Sequence, residues 1–120
     1  DEALRIRHRL GGGFRPTAMI AAAALAALES YDHIAEDHRR AKVLATALSS
    51  LQGLSIAPVE TNIVFVSISK NVRKVVDKLE QKGMRVLSYG PDRIRLATHR
   101  GINDDDIVRT LEGFKSVITN

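Results

Sequence analysis

Two segments combine residue types capable of chemistry with spacings that let them act together. The first is Arg7-His8-Arg9-Leu10-Gly11-Gly12-Gly13-Phe14-Arg15. Successive backbone N–H groups in a glycine-rich turn that opens a helix can cradle an anion, and Arg15 could clamp it. It is not a P-loop, since no Gly-Lys-Ser/Thr follows the glycines. Taken alone, three glycines are more often a flexible break between helices. The second segment is Arg93 to His99, RIRLATH. Strand alternation would put Ile94, Leu96 and Thr98 on one face and Arg93, Arg95, Ala97 and His99 on the other. The first face suits helices packed above it, and the second could face a cleft. Arginine's planar fork takes a carboxylate through two parallel hydrogen bonds, so Arg95 is a candidate clamp. Its plainer alternative is a surface ion pair.

Two other groups carry less. Ser67-Ile68-Ser69-Lys70 ends in a lysine, and a lysine that forms a Schiff base needs a dry pocket and a depressed pKa. Lys70 follows a strand and precedes Asn71, a helix-capping residue, so it reads as a solvated strand-end lysine. Lys74, Lys78 and Lys82 repeat at helical spacing and read as a wet face. His33 and His38 flank two acids, Glu36 and Asp37. Their spacing places them about 140° apart around a helix, so they cannot face one ion together. Helical zinc pairs stand three or four residues apart, and no metal site is expected.

The chain has 120 residues, the length of one domain. Its apolar fraction of 44% and charged fraction of 27% describe a globular protein rather than a disordered one. Cysteine is absent, which excludes a disulfide scaffold and a cysteine-based zinc site. There is no tryptophan and little other aromatic content, so aliphatic side chains and alanine must fill the core. A net charge of +4 with so few aromatics argues against nucleic acid as the partner. The longest apolar run, Ala18 to Leu28, falls short of the roughly 20 residues a bilayer requires, so no membrane partner is expected. No signal peptide opens the chain, and the expected location is cytoplasmic. Asp1 to Arg9 lacks an initiating methionine and reads as the tail of a helix, as in a fragment or processed piece.

The elements that must position these groups follow from periodicity. A helix over Ala3 to Leu10 is broken at Gly11 to Gly13, and Pro16 suits the first turn of the next helix. From Thr17 to about Ser30 the chain is helical and apolar nearly all round, which demands a partner surface. A second helix runs from about Asp32 to Leu51. Ile34, His38, Ala41, Ala45 and Leu48 form its inner stripe, with Glu36, Asp37, Arg39, Arg40 and Lys42 on other faces. Strands are predicted over Leu54 to Ala57, Thr61 to Ile68, Arg85 to Tyr89 and Arg93 to Thr98. Both faces of the second are apolar, so it should be central. Between them lies a helix over Asn71 to Gly83. Asn103 can cap a last helix, with Asp106 completing a capping box and Ile107, Leu111, Phe114 and Ile118 facing inward. The predicted class is α+β: a small, mostly antiparallel sheet with helices on one side. Residues 1–52 form connecting helices and 53–120 the small domain.

In order along the chain, these segments resemble low-specificity L-threonine aldolases. Arg7 to Arg15 resembles a segment usually reading Arg-Lys-x-x-Gly-Gly-Gly-Met-Arg, which leads into an alanine-rich helix as Ala21 to Ala27 do. Ile34 to His38 and Ala41-Lys42 resemble Leu-x-Glu-Asp-His and Ala-Lys. Thr61-Asn62-Ile63-Val64 matches Thr-Asn-Ile-Val, and Arg95 to His99 resembles Arg-Leu-Val-Thr-His. The resemblance implies the small C-terminal domain of a fold-type I enzyme dependent on pyridoxal 5'-phosphate (PLP). Such enzymes cleave L-threonine or L-allo-threonine to glycine and acetaldehyde. Arg95 then takes the position that grips the substrate carboxylate. Arg15, with Gly11, Gly12, Gly13 and His8, would stand near the cofactor phosphate at a subunit interface. His8 departs from the family, which often has lysine there. No catalytic residue is expected in this chain: the Schiff-base lysine, ring-stacking histidine and pyridine aspartate would lie upstream. The expected partners are therefore an N-terminal large domain, further copies in a dimer or tetramer, and an amino-acid substrate. Competing readings are another fold-type I enzyme (an aminotransferase or β-eliminating lyase), and a non-catalytic basic binding or dimerisation domain using Arg5 to Arg15.

Overall fold

The structure is a computed structural model that describes residues 1–119. The chain divides into two compact units, the second beginning at Asp32. In the first, helix α1 (Glu2–Arg7) continues into a wider π-type turn, His8–Gly12, and helix α2 (Thr17–Leu28) follows. Gly11 has φ +84°, a left-handed conformation that L side chains resist. Pro16 stands just before α2 rather than in its first turn. Within this unit α2 leaves Met19, Ile20, Leu25 and Leu28 bare, as its all-round apolar sequence anticipated.

The second unit runs helix α3 (His33–Ser49), strands β1 (Leu54–Ile56) and β2 (Ile63–Ile68), helix α4 (Val72–Glu80), strands β3 (Leu87–Ser88) and β4 (Arg93–Ala97), and helix α5 (Asp104–Ile118). The sheet order is β1-β2-β4-β3, antiparallel at every pair. β2 is central, as its two apolar faces predicted. Val64, Val66 and Ile68 of β2 and Ile94 and Leu96 of β4 point into one core with Leu48 of α3, Leu79 of α4 and Phe114 of α5. The three helices therefore cover one face of the sheet. The division expected at 52/53 falls inside this unit, because Ala41, Leu44, Ala45 and Leu48 of α3 belong to that core.

Three local expectations change. α3 buries Asp37, Ala41, Leu44, Ala45 and Leu48, while Ile34 is 45% exposed. Asp37, expected outside, turns inward where its backbone carbonyl accepts the Thr98 hydroxyl at 2.6 Å. β3 is two residues long, not five. Gly83, with φ +79°, ends α4, and the Met84 N–H turns back to the Leu79 carbonyl at 3.0 Å. The Met84 thioether then seats on α5 at Gly113, where a Cβ would collide with it. This draws residues 84–86 away from β4 before pairing can begin. Among the described residues no helix is long and apolar enough to cross a membrane.

α5 opens on the expected capping box. The Asn103 side chain accepts from the Asp106 N–H at 2.9 Å, and the Asp106 carboxylate accepts from the Asn103 N–H at 3.0 Å. Beside it, Asp104 accepts from Arg39 Nη2 at 2.6 Å and Arg40 Nε at 3.0 Å, tying α5 to α3. These two guanidiniums, Arg39 first, hold the Asp104 carboxyl below its ordinary value of 3.8. A depressed folded pKa stabilises above the unfolded value and ceases to do so as pH falls through the folded one. Asp104→Asn should therefore lower the melting temperature at neutral pH. The difference should close below about pH 4 and shrink in high salt, because the pair is exposed. Melting curves across pH 2–7 read it directly.

Candidate functional site

The face of the sheet opposite the helices carries the candidate site. Period-two alternation that buries Ile94 and Leu96 turns Arg93, Arg95 and Ala97 outward. The register sets Arg95 between Phe65 of β2 and Leu87 of β3. The Tyr89 ring stands 5.1 Å from that of Phe65, tilted by 56°. The Arg95 side chain is half-buried and thus stands in a row of apolar neighbours.

Its charge is not answered within the chain. Arg93 approaches Asp92 at 3.7 Å, and Arg109 pairs with Asp106, but the Arg95 guanidinium makes no ion pair or hydrogen bond among the described residues. A partly desolvated guanidinium with its fork unengaged is well suited to a planar anion. Arg95 also borders an open groove of about 920 Å3 beside β4, lined in part by Arg85, Val86, His99 and Arg109. His99 Nδ1 accepts from the Gly101 N–H at 3.1 Å, which leaves its ring proton on Nε2. The apolar flank of Phe65, Leu87 and Tyr89 went unremarked in the sequence. Its signal was there in the apolar outer face of β2.

The glycine turn belongs to the first unit. His8 Nδ1 lies 2.9 Å from the Leu4 carbonyl, and its ring stacks under Gly13, where a Cβ would stand 2.5 Å from His8 Cδ2. A Cβ on Gly12 would be 2.8 Å from the Arg7 carbonyl oxygen. The turn is thus closely wound at Gly12 and Gly13, while Gly11 is called for by its positive φ rather than by lack of space. His8 is committed to the helix backbone, and Arg15 is exposed with no ion pair among the described residues.

Lys70 Nζ donates to the Ile118 carbonyl at 2.7 Å, at the C-terminal end of α5 where a cation meets the helix dipole favourably. Every lysine in the chain is exposed. Among the described residues no group of three or more histidine or acidic side chains could hold a metal ion.

Comparison with known proteins gives this geometry a setting. The family model described as beta-eliminating lyase matches residues 1–71. Low-specificity L-threonine aldolase 1 of Arabidopsis thaliana is 34% identical to this chain over 125 residues, covering 98% of the chain. Probable low-specificity L-threonine aldolase 2 of the same plant is 35% identical over 93% of the chain. The chain spans about a third of the length of these relatives, 35% and 34% respectively. Among solved structures, a transaminase with L-ala superposes with a TM-score of 0.71 over 96% of this chain and 30% of its own, at 18% identity. A C-DES mutant with glycine covalently linked to the PLP cofactor gives 0.60 over 65% of this chain and 22% of its own, at 20% identity. At such identities the likeness speaks for the fold: the α+β arrangement is that of fold-type I PLP enzymes.

The Lys70 contact has its own consequence. Lys70→Met keeps the aliphatic stem and removes the donor. It should cost about 0.5–1 kcal/mol of stability in urea unfolding, with Lys70→Arg losing less. Equal midpoints for all three proteins would show that the contact contributes nothing.

Proposed function

The chain belongs to the beta-eliminating lyase family, and from that premise we propose that it is the C-terminal part of a PLP-dependent carbon–carbon lyase. The complete protein would cleave L-threonine or L-allo-threonine to glycine and acetaldehyde. The names of the two Arabidopsis relatives support the substrate class. The observation that carries the reading is Arg95, a half-buried guanidinium with no internal counter-charge, held on a strand between apolar neighbours.

In this reading Arg95 takes the substrate carboxylate in a bidentate grip. One face of the amino acid is thereby anchored to a rigid strand, and the Cα–Cβ bond keeps one orientation. Half-buried Phe65 beside Arg95 lowers the local dielectric around the pair and strengthens it. PLP, when bound, supplies the electron sink for the bond that breaks. The residues present fit it in part. Arg15 on the closely wound glycine turn offers a cation for the phosphate. Exposed lysines, with Lys70 engaged at the end of α5, offer no dry pocket for a Schiff base, so the attachment lysine is assigned to the rest of the protein. The chain alone would then be inactive. The bare apolar helix α2 supports a complete protein in which an N-terminal domain and further copies of the chain cover it.

The test is made in the full-length enzyme. It should release glycine from threonine; release of a keto acid or ammonia instead would move it to another class. Arg95→Lys should lower kcat/KM for threonine by about 10- to 100-fold, chiefly through KM, since lysine cannot form the fork. Inhibition by 1-amino-2-propanol, which lacks the carboxylate, should not change. Unaltered threonine kinetics would remove Arg95 from the site.

A further inference from the structure

Arg95 is the last residue of β4 paired on both sides, with Phe65 on β2 and Leu87 on β3. Beyond it the strand continues through Leu96 and Ala97 to Thr98 beside β2 alone, and its other edge borders the groove. A strand held from one side is free to twist, and the side chain just before the unsupported stretch turns with it.

A cluster of hydrogen bonds closes this end. Thr98 is 2% exposed. Its hydroxyl donates to the Asp37 carbonyl of α3 at 2.6 Å, with the Asn62 carbonyl 3.3 Å away as a second acceptor. Asn62 Nδ2 donates in return to the Thr98 carbonyl at 2.7 Å. The Thr98 N–H donates to the Asn62 carbonyl at 2.9 Å, adding a rung just past the ladder of β2 and β4. The surroundings are dry: Asp37 is 6% exposed, and its Oδ1 is buried with no hydrogen-bond partner among the described residues. In such a place a satisfied hydrogen bond is strong and a missing one is costly. A valine would fill the volume of Thr98, so what the threonine adds is the hydroxyl.

We propose that Thr98 and Asn62 are positioning residues for Arg95. They fasten the free end of β4 to the backbone of α3 and to the entrance of β2, and so fix the direction in which the guanidinium meets a carboxylate. Neither side chain reaches the substrate. Thr98 faces the helices, on the side of the sheet opposite Arg95. The inference rests on the reading of Arg95 as the carboxylate clamp.

The experiment is a double-mutant cycle in the full-length enzyme, with threonine as substrate and 1-amino-2-propanol as the carboxylate-free probe. Thr98→Val should raise KM about three- to ten-fold and lower kcat by a smaller factor, because a misoriented fork first weakens the grip and only secondarily lets the Cα–Cβ bond drift from its orientation. Inhibition by 1-amino-2-propanol should be unchanged, and Thr98→Ser should restore KM. In an Arg95→Lys background Thr98→Val should add little, since residues that act through one another are not additive. If Thr98→Val does not fold, Asn62→Ala enters the same cycle. An unchanged KM, full additivity with Arg95→Lys, or an equal loss for threonine and the probe would each overturn the positioning role while leaving Arg95 in place. An Arg95→Lys enzyme with normal KM would overturn the clamp itself, and the positioning role with it.

Discussion

In β4 every second side chain is committed to the core. Ile94 is fully buried, Leu96 8% exposed and Thr98 2% exposed. The side chains between them have no choice of face. A slip of one residue against β2 would press Arg93, Arg95 and Ala97 into the helices and lift two aliphatic side chains and a hydroxyl into solvent. An unpaired guanidinium in an aliphatic core carries a prohibitive desolvation cost. The hydrophobic burial that holds the domain together is therefore also what aims Arg95. The same rule on β2 sends Val64, Val66 and Ile68 inward and leaves Phe65 beside the arginine.

The rest of the second unit keeps that strand still. α3, α4 and α5 cover the inner face with a core in which Phe114 is the aromatic residue, among the described residues. Small side chains such as Ala41 and Ala45 let α3 approach the sheet closely enough for a helix carbonyl to reach Thr98. Asp104 binds α5 back to α3 through two arginines, but Asp104 and Arg39 are exposed, and the tie is weak beside the core. Burial and the buried hydrogen bonds at Thr98 thus provide the rigidity, and the charges contribute mainly to helix ends.

What could be read from the sequence was what depends on local period and chemistry. The alternation in Arg93 to His99, the capping box at Asn103 and Asp106, and the central place of β2 all follow from neighbours within a few residues. Contacts made across the fold were hidden. β3 shrank because Met84 found the space at Gly113, twenty-nine residues away along the chain. Asp37 turned inward because its backbone, not its carboxylate, had a partner in Thr98. The glycine run looked like either a hinge or a cradle. The structure adds that Gly12 and Gly13 have no room for a Cβ, which a sequence cannot display. Strand alternation isolates Arg95 on the outer face, which is why the sequence alone singles it out as a candidate. Its apolar flank was missed because a half-buried Phe65 looks like any core residue until the helices are known to lie on the other side.

A guanidinium on an apolar strand, without a counter-ion, is an unfavourable arrangement for a domain judged only on stability. A carboxylate near Arg95 would repair it, and residues of that kind are abundant elsewhere: Asp92, Asp104 and Asp106 all pair with arginines. Among the described residues the other arginines without a partner, Arg7, Arg9, Arg15, Arg73, Arg85 and Arg100, are all exposed; Arg95 is half-buried, on a strand whose end is fastened by buried hydrogen bonds. An arginine meant for the surface would need no such support, since an exposed pair tolerates a wandering side chain at little cost. A fork that must meet a planar carboxylate in two parallel bonds does need it, because a tilt of the strand breaks one of the two. In the reading of Arg95 as a carboxylate clamp, the buried fastening of the end of β4 and the open fork of Arg95 belong together as one feature.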